Sequence, residues 1–212
     1  MASLEREVRT LHRLADELLA TVLVTDDLDI KFQRLIAETA LLRLFYSLES
    51  AIVNISHKLL LNTAYCDVPA SRPSLLRPPF RSASSAEAAV IAARGRRVRY
   101  VKWSTLNDIQ GNLSNFLQPT EYFLVERQNL DPVFEDLRRV RNHIAHGTRS
   151  TQAGFSAVVN GVYPLSPKGI SPGKFLLSKR LAFTGASGHG RQRVIEQYLR
   201  WAKVAVKTLV KA

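Results

Sequence analysis

The stretch LLRLFYSLESAIVNI, residues 41–55, sets the expected fold of this chain. Apolar side chains recur in it every three or four residues, and the pattern extends over residues 28–61. The stripe consists of Leu41, Phe45, Leu48, Ile52, Ile55 and Leu59. Because this spacing lines one face of an α-helix and further apolar residues flank it, the sequence predicts a long and largely buried helix.

The same periodicity predicts further helices along the chain. They are expected at 4–24, about 85–94, 104–118, 120–127 and 191–211. Another helix is expected from Asp131 to Gly147, because Asp131 is a good N-cap, Pro132 fits the first helical position and glycine commonly ends helices.

One segment near the carboxyl end predicts a different structure. In VVNGVY, residues 158–163, Asn160 and Gly161 occupy the two-residue turn of a β-hairpin. The expected fold is therefore all-α, an up-and-down bundle of four to six helices with a small β-hairpin insertion before the last helix. We expect a single domain over 1–212, with a Pro/Ser-rich loop at 62–85 and a Gly-rich insertion at 147–190.

Charge is distributed unevenly. The net charge is +12, with 7 basic and 9 acidic side chains in residues 1–60 but 23 and 9 in residues 61–212. Arginine outnumbers lysine 21 to 9, and a planar guanidinium makes bidentate contacts with phosphate. A polyanion is therefore the expected partner, the alternative being that the charge serves only solubility.

The cysteine content and the lack of long apolar segments predict the cellular compartment. Cys66 is the only cysteine, so no internal disulfide and no multi-cysteine zinc site can form. The first residues are charged, and no run of about 18 uninterrupted apolar residues occurs. We expect a cytoplasmic protein that has no membrane partner and needs no cofactor.

The densest cationic run is RGRRVRYVKW, residues 94–103, which suits phosphate contact combined with base stacking. The alternative is a solvated charged turn beside two core aromatic residues. The residues expected to bind RNA are Arg94, Arg96, Arg97, Arg99, Lys102, Trp103 and, on the later helix, Arg138, with Tyr100 as a second stacking face.

A compact polar motif ends the helix predicted before Gly147. In VRNHIAHG, residues 140–147, arginine precedes histidine by five positions, and the same spacing separates Arg138 from His143. Only the pair Arg141 and His146 has a small polar residue, Asn142, directly after the arginine. Only this pair ends at the helix terminus.

The motif RNHIAH resembles that of the HEPN superfamily, small helical-bundle proteins of which many are metal-independent ribonucleases. The family motif is Arg, then usually Asn, Asp or His, then three residues and His, which Arg141, Asn142 and His146 match. The stretch at 41–55 looks closest to the branch associated with ribonuclease and phage-defence systems. The resemblance implies a homodimer that pairs two motif helices, a toxic or defensive role, and a neutralising antitoxin or defence-system partner. A tyrosine that one branch modifies corresponds here to Thr148.

Cleavage of RNA without metal needs a base for the 2′-hydroxyl, an acid for the leaving oxygen and a cation for the phosphorane. His146 and Arg141 have side chains suited to these roles. Glu49 lies in an apolar row with Leu42 and Tyr46, and a half-buried carboxylate is stabilised by a cationic partner. We expect that partner to be Arg141; the alternative is that Glu49 reaches solvent, Arg43 or Lys58.

Three other interpretations stay open. His143 and His146 have the spacing of a metal-binding pair, but no third ligand lies nearby in sequence. The chain could be a non-catalytic HEPN scaffold that binds a nucleotide or a partner protein. It could also be a sequence-independent nucleic-acid-binding protein, in which the motif is incidental.

Overall fold

The computed structural model describes residues 3–66, 71–95, 100–163, 169–182 and 192–211. Every regular element in these ranges is a helix, and one isolated bridge between Leu75 and Leu117 is the β-type pairing found there. The helices are α1 Glu5–Leu23, α2 Ile30–Leu60, α3 Ala83–Ala93, α4 Leu106–Leu113, α5 Tyr122–His146, α6 Arg149–Val162, α7 Pro172–Leu177 and α8 Val194–Leu209. The all-α prediction is confirmed, with eight helices in the described ranges rather than four to six.

The apolar stripes that predicted the long helices are buried. The six stripe residues of α2 are each at most 2% exposed, as are Leu11 and Val22 of α1 and Leu199 and Val206 of α8. Burial of these faces supplies the main favourable free energy of the fold. None of the described helices is long and apolar enough to span a membrane.

The predicted β-hairpin at 158–163 is wrong, because these residues lie at the carboxyl end of α6. Phe155, Val158 and Val159 are buried, and their spacing of three and four residues lines one helical face. Thr148 caps the start of this helix. The cap at Thr148 and the burial of the apolar face therefore extend the helix through Asn160 and Gly161, although an Asn-Gly pair favours a turn.

The expected helix start at Asp131 is also wrong, because α5 is continuous from Tyr122 to His146 and contains Pro132 in its interior. Asp131 does not act as a cap but accepts a 2.7 Å hydrogen bond from the guanidinium of Arg127, which is 1% exposed. This pair spans the helical turn that ends directly before Pro132. Pro132 and Gln128 are exposed, so the carbonyl group that loses its donor lies where water can reach it.

The chain divides into two compact units. Unit 1 consists of Met1–Leu11, Leu48–Asp131 and Ala205–Ala212, and unit 2 of His12–Ser47 and Pro132–Val204. Each of the helices α1, α2, α5 and α8 contributes residues to both units.

Unit 1 contains a buried polar cluster around Glu121. The hydroxyl of Tyr65 donates to this carboxylate, and the backbone N–H of Ser74 donates to its other oxygen. The Tyr65 hydroxyl also accepts a hydrogen bond from the backbone N–H of Phe123. Burial raises the pKa of Tyr65 far above its ordinary value, and Glu121 adds to the rise. The cluster ties the loop after α2 to the start of α5.

In unit 2, polar side chains connect α8 and the residue before it to α1 and the turn that follows it. The guanidinium of Arg193 donates to the carbonyl of Val22 at 3.0 Å and forms an ion pair with Asp26. Further along, a ring nitrogen of His12 lies 2.9 Å from the carbonyl of Lys203. These contacts satisfy buried polar groups that would otherwise cost free energy.

Candidate active site

The Arg141–His146 motif lies in the last two turns of α5, within unit 2. Leu137 and Val140 are fully buried and fix which face of the helix points into the unit. Arg141 and Asn142 are half-buried, whereas His146 is exposed. The motif therefore begins at the edge of the core and ends in solvent.

A tight connection ends α5 and starts α6. Gly147 adopts a left-handed conformation with φ of +58°, and its N–H donates to the carbonyl of His143 at 2.9 Å. Thr148 then caps α6, because its hydroxyl accepts from the N–H of Thr151 and the hydroxyl of Thr151 accepts from the N–H of Thr148. The position at which one HEPN branch has a tyrosine is thus an N-cap in this chain.

The guanidinium of Arg141 is held from two sides. Its Nη1 donates to the side-chain oxygen of Asn142 at 2.9 Å, and its ζ carbon lies 5.5 Å from the centre of the Phe45 ring. Phe45 is 2% exposed, so its ring offers a fixed surface. An arginine has five N–H donors, and the contact with Asn142 occupies one of them. The group is therefore oriented while keeping donors suited to a phosphate.

The two histidines of the motif have different surroundings. His143 stacks on Phe155 with ring centres 5.0 Å apart and an interplanar angle of 16°, and its Nδ1 lies 3.1 Å from the hydroxyl of Thr151. His146 is exposed, and no hydrogen bond or ion pair holds its ring within the described residues. His143 thus serves the packing of α5 against α6, whereas His146 is accessible to a substrate.

Other cations of α5 are paired along the helix. Arg138 donates to both carboxylate oxygens of Glu135, at 2.8 and 2.5 Å, and Arg139 lies 3.5 Å from Asp136. Burial raises the pKa of Asp136 above its ordinary value, although Arg139 opposes this shift. The predicted contact of Arg138 with RNA would therefore compete with an existing ion pair.

Glu49 is half-buried, as expected from its apolar row on α2. It belongs to unit 1, whereas Arg141 belongs to unit 2. The pairing of Glu49 with Arg141 stays a prediction.

The described part of the predicted RNA-binding run lies in unit 1, and Arg96, Arg97 and Arg99 lie outside the described residues. Arg94 ends α3, and its guanidinium covers Gly111, where an added Cβ would lie 2.5 Å from Nη1. Lys102 is exposed. These cations are at the surface of their unit.

The two aromatic residues of this run differ in exposure. Trp103 is half-buried and packs edge-on against His57, with ring centres 5.7 Å apart. Tyr100 is 71% exposed. Tyr100 is therefore the better stacking surface for an unpaired base, and Trp103 has a packing role.

Sequence reasoning missed two supporting residues. Phe45 was assigned only to the core stripe of α2, and nothing in the sequence predicts a contact with an arginine 96 positions away. Thr151 was not singled out, because a threonine three residues after the N-cap Thr148 is not the usual Glu or Gln of a capping box, although it completes one here.

Within the described residues, no group of three or more histidine, cysteine or acidic side chains is arranged to hold a metal ion. No family model matches the chain, and no significant match was found among curated proteins or solved structures. The resemblance to the HEPN superfamily accordingly depends on the motif residues themselves.

Proposed function

We propose that this protein is a metal-independent endoribonuclease of the HEPN type, in which Arg141, Asn142 and His146 form the reactive group. The observation that carries the proposal is the orientation of the Arg141 guanidinium between Asn142 and Phe45, near the end of a helix whose last residue is an exposed histidine. The half-buried cation suits a phosphate, and the exposed imidazole suits proton transfer.

The chemistry would be attack of a ribose 2′-oxygen on the adjacent phosphorus. A base removes the 2′-hydroxyl proton as the new P–O bond forms, and an acid protonates the departing 5′-oxygen as the old bond breaks. The products are a 2′,3′-cyclic phosphate and a 5′-hydroxyl. Arg141 would neutralise the phosphorane, and His146 would supply one of the two proton transfers.

One motif supplies a single exposed histidine for a reaction with two proton transfers. The proposal therefore includes a homodimer, since a second copy would contribute the second imidazole. The resemblance extends the proposal to a toxin or phage-defence effector with a neutralising partner protein. No cofactor is needed for this chemistry.

The test is cleavage of a single-stranded RNA by the full chain in the presence of EDTA. We expect products with a 2′,3′-cyclic phosphate and no product from a matched substrate carrying 2′-deoxyribose at the cleaved position. Cleavage of the deoxy substrate, or loss of cleavage on chelation, would contradict the proposal.

A second function is favoured by the charge distribution, because residues 61–212 carry 23 of the 30 basic side chains. Tight, salt-sensitive RNA binding without His146-dependent cleavage would support a nucleic-acid-binding protein instead.

A further inference from the structure

The helix α2 carries a second apolar row besides its buried stripe. Phe32, Leu35, Thr39, Leu42 and Tyr46 follow one another at intervals of three, four, three and four residues, so they share one helical face. Phe32, Leu35 and Tyr46 are 61, 59 and 71% exposed. Thr39 is also exposed, and Leu42 is half-buried. We call these five residues the outer row; all belong to unit 2.

The outer row is large for a surface feature. An aromatic side chain covers about 150–250 Å², so the three most exposed members leave on the order of 400 Å² of apolar surface. That is about half of the roughly 800 Å² that each partner buries in an interface of standard size.

The order of residues in the row is nearly symmetric about Thr39. A leucine lies four residues before Thr39 and another three after it, and aromatic residues lie seven before and seven after. Two copies of α2 that cross in antiparallel orientation at Thr39 would bring Leu35 of each copy within one residue step, about 1.5 Å along the helix, of Leu42 of the other. They would also place Phe32 against Tyr46. A surface that complements itself in this way is what a two-fold interface requires.

Charge also favours antiparallel pairing of like copies. No residue of the outer row is charged at neutral pH, whereas Lys31 and Arg43 flank it and are exposed. A parallel two-fold pair would place the two copies of Arg43 at the same level along the helices, and likewise the two copies of Lys31. In the antiparallel pair the two copies of Arg43 are offset by eight residues, about 12 Å along the helices, and those of Lys31 by sixteen residues, about 24 Å, which separates the like charges.

We propose that the outer row of α2 is a self-association surface, which binds the same row of a second copy in antiparallel orientation with Thr39 at the two-fold axis. Spacing that alternates three and four residues is the pattern of helices that pack side by side at 8–10 Å. Phe32 and Tyr46 then form an aromatic pair at each end of the contact. The inference is independent of the proposed nuclease activity.

The first experiment is sedimentation of the full chain over a range of concentrations. We expect a dimer for the wild type and at least about 100-fold weaker self-association for Leu35→Asp, because each interface would then bury two unpaired carboxylates. The matched control is Val204→Asp, which changes an apolar side chain that is 63% exposed on α8 of the same unit. The control should remain a dimer.

A second experiment tests the register and does not depend on the folding of Leu35→Asp. In a Cys66→Ser background, Thr39→Cys places the single cysteine at the proposed axis. Helices about 9–10 Å apart bring the facing Cα atoms to about 4.4–5.4 Å, which is within the range of a disulfide. Mild oxidation should therefore give a covalent dimer, whereas the exposed Thr21→Cys control on α1 should not.

Contrary outcomes are equally clear. A wild-type monomer at every concentration, a Leu35→Asp dimer as tight as the wild type, or equal cross-linking at positions 39 and 21 would each overturn the proposal. Ribonuclease activity is measured separately: an inactive protein that cross-links at position 39 contradicts the proposed function alone. An active protein that does not cross-link there contradicts this surface alone.

Discussion

The ζ carbon of Arg141 lies 5.5 Å from the centre of the Phe45 ring. This contact joins the motif of α5 to the buried stripe of α2, and it gives the guanidinium a fixed plane that the hydrogen bond to Asn142 alone would not define. An arginine oriented before substrate arrives loses less side-chain entropy when it binds a phosphate. Phe45 should therefore affect catalysis without touching the substrate.

We expect Phe45→Leu to lower kcat by about 2- to 30-fold, because a cation–π contact contributes about 0.5–2 kcal/mol and 1.36 kcal/mol corresponds to a factor of ten. The substitution keeps most of the buried volume. Phe116→Leu is the matched control, since Phe116 is also 2% exposed and lies 5.6 Å from the guanidinium carbon of Arg77. Equal losses of activity in both variants would mean that Phe45 acts only through stability.

Substitution of the two motif histidines should affect different properties, activity for His146 and stability for His143. His146→Ala is expected to abolish RNA cleavage and leave the free energy of unfolding nearly unchanged, because the ring is exposed. His143→Ala should lower the free energy of unfolding by about 1–3 kcal/mol, because it removes the stack on Phe155 and the contact with Thr151. Kinetics and denaturant unfolding measure the two effects. If His143→Ala is inactive but stable, the catalytic histidine has been misassigned.

Helix periodicity predicted most of the fold, because burial of a continuous apolar stripe is a property of local sequence. The errors lie where a local signal competes with packing. Asn160 and Gly161 form turns in isolation, but the buried Phe155, Val158 and Val159 extend the helix past them. Likewise Asp131 and Pro132 usually start a helix, whereas the pairing of Asp131 with the buried Arg127 keeps the helix continuous.

The candidate site was predictable only in part. The spacing of Arg141, Asn142 and His146 can be found in sequence, since it is local. Arg141 differs from Arg138 by its contact with Phe45 on a distant helix, which spacing does not predict, whereas the pairing of Arg138 with Glu135 three residues earlier is local. The packing role of His143 depends on Phe155 in the next helix, which the sequence had assigned to no element.

His57 should make stability depend on pH. Burial lowers its pKa below 6.5, although Glu87 opposes the shift, and its Nε2 is buried without a hydrogen-bond partner. Below pH 6.5 the unfolded chain therefore binds a proton more readily than the folded protein. The contribution of neutral His57 to the free energy of unfolding is complete above pH 6.5. It is lost as the pH falls through the lower pKa of the folded state, and the free energy of unfolding then changes by at most about 1.4 kcal/mol per pH unit.

The measurement is denaturant unfolding of the wild type and His57→Phe between about pH 5 and pH 8, a window around the ordinary histidine pKa. Phenylalanine keeps an aromatic edge against Trp103 but does not titrate. The difference between the two proteins should be constant above pH 7 and should shift in favour of His57→Phe as the pH falls. Parallel curves over the whole range would show that His57 titrates alike in both states.

The last prediction concerns the basic run at 94–103. If these residues bind RNA, replacing Arg96, Arg97 and Arg99 with Gln should weaken binding across RNA sequences. Arg94 is left intact because its guanidinium packs over Gly111. Each lost phosphate contact lowers the slope of log affinity against log salt by about 0.7 for a single strand, so the slope of the triple variant should fall by about 2.

The matched control for the basic run replaces Arg6, Arg9 and Arg13, which are exposed on α1, and lowers the net charge of +12 equally. Single-turnover cleavage at saturating protein should survive in both variants. Equal slopes in the two variants would assign binding to the overall charge, and loss of the single-turnover rate would place the run in the active site.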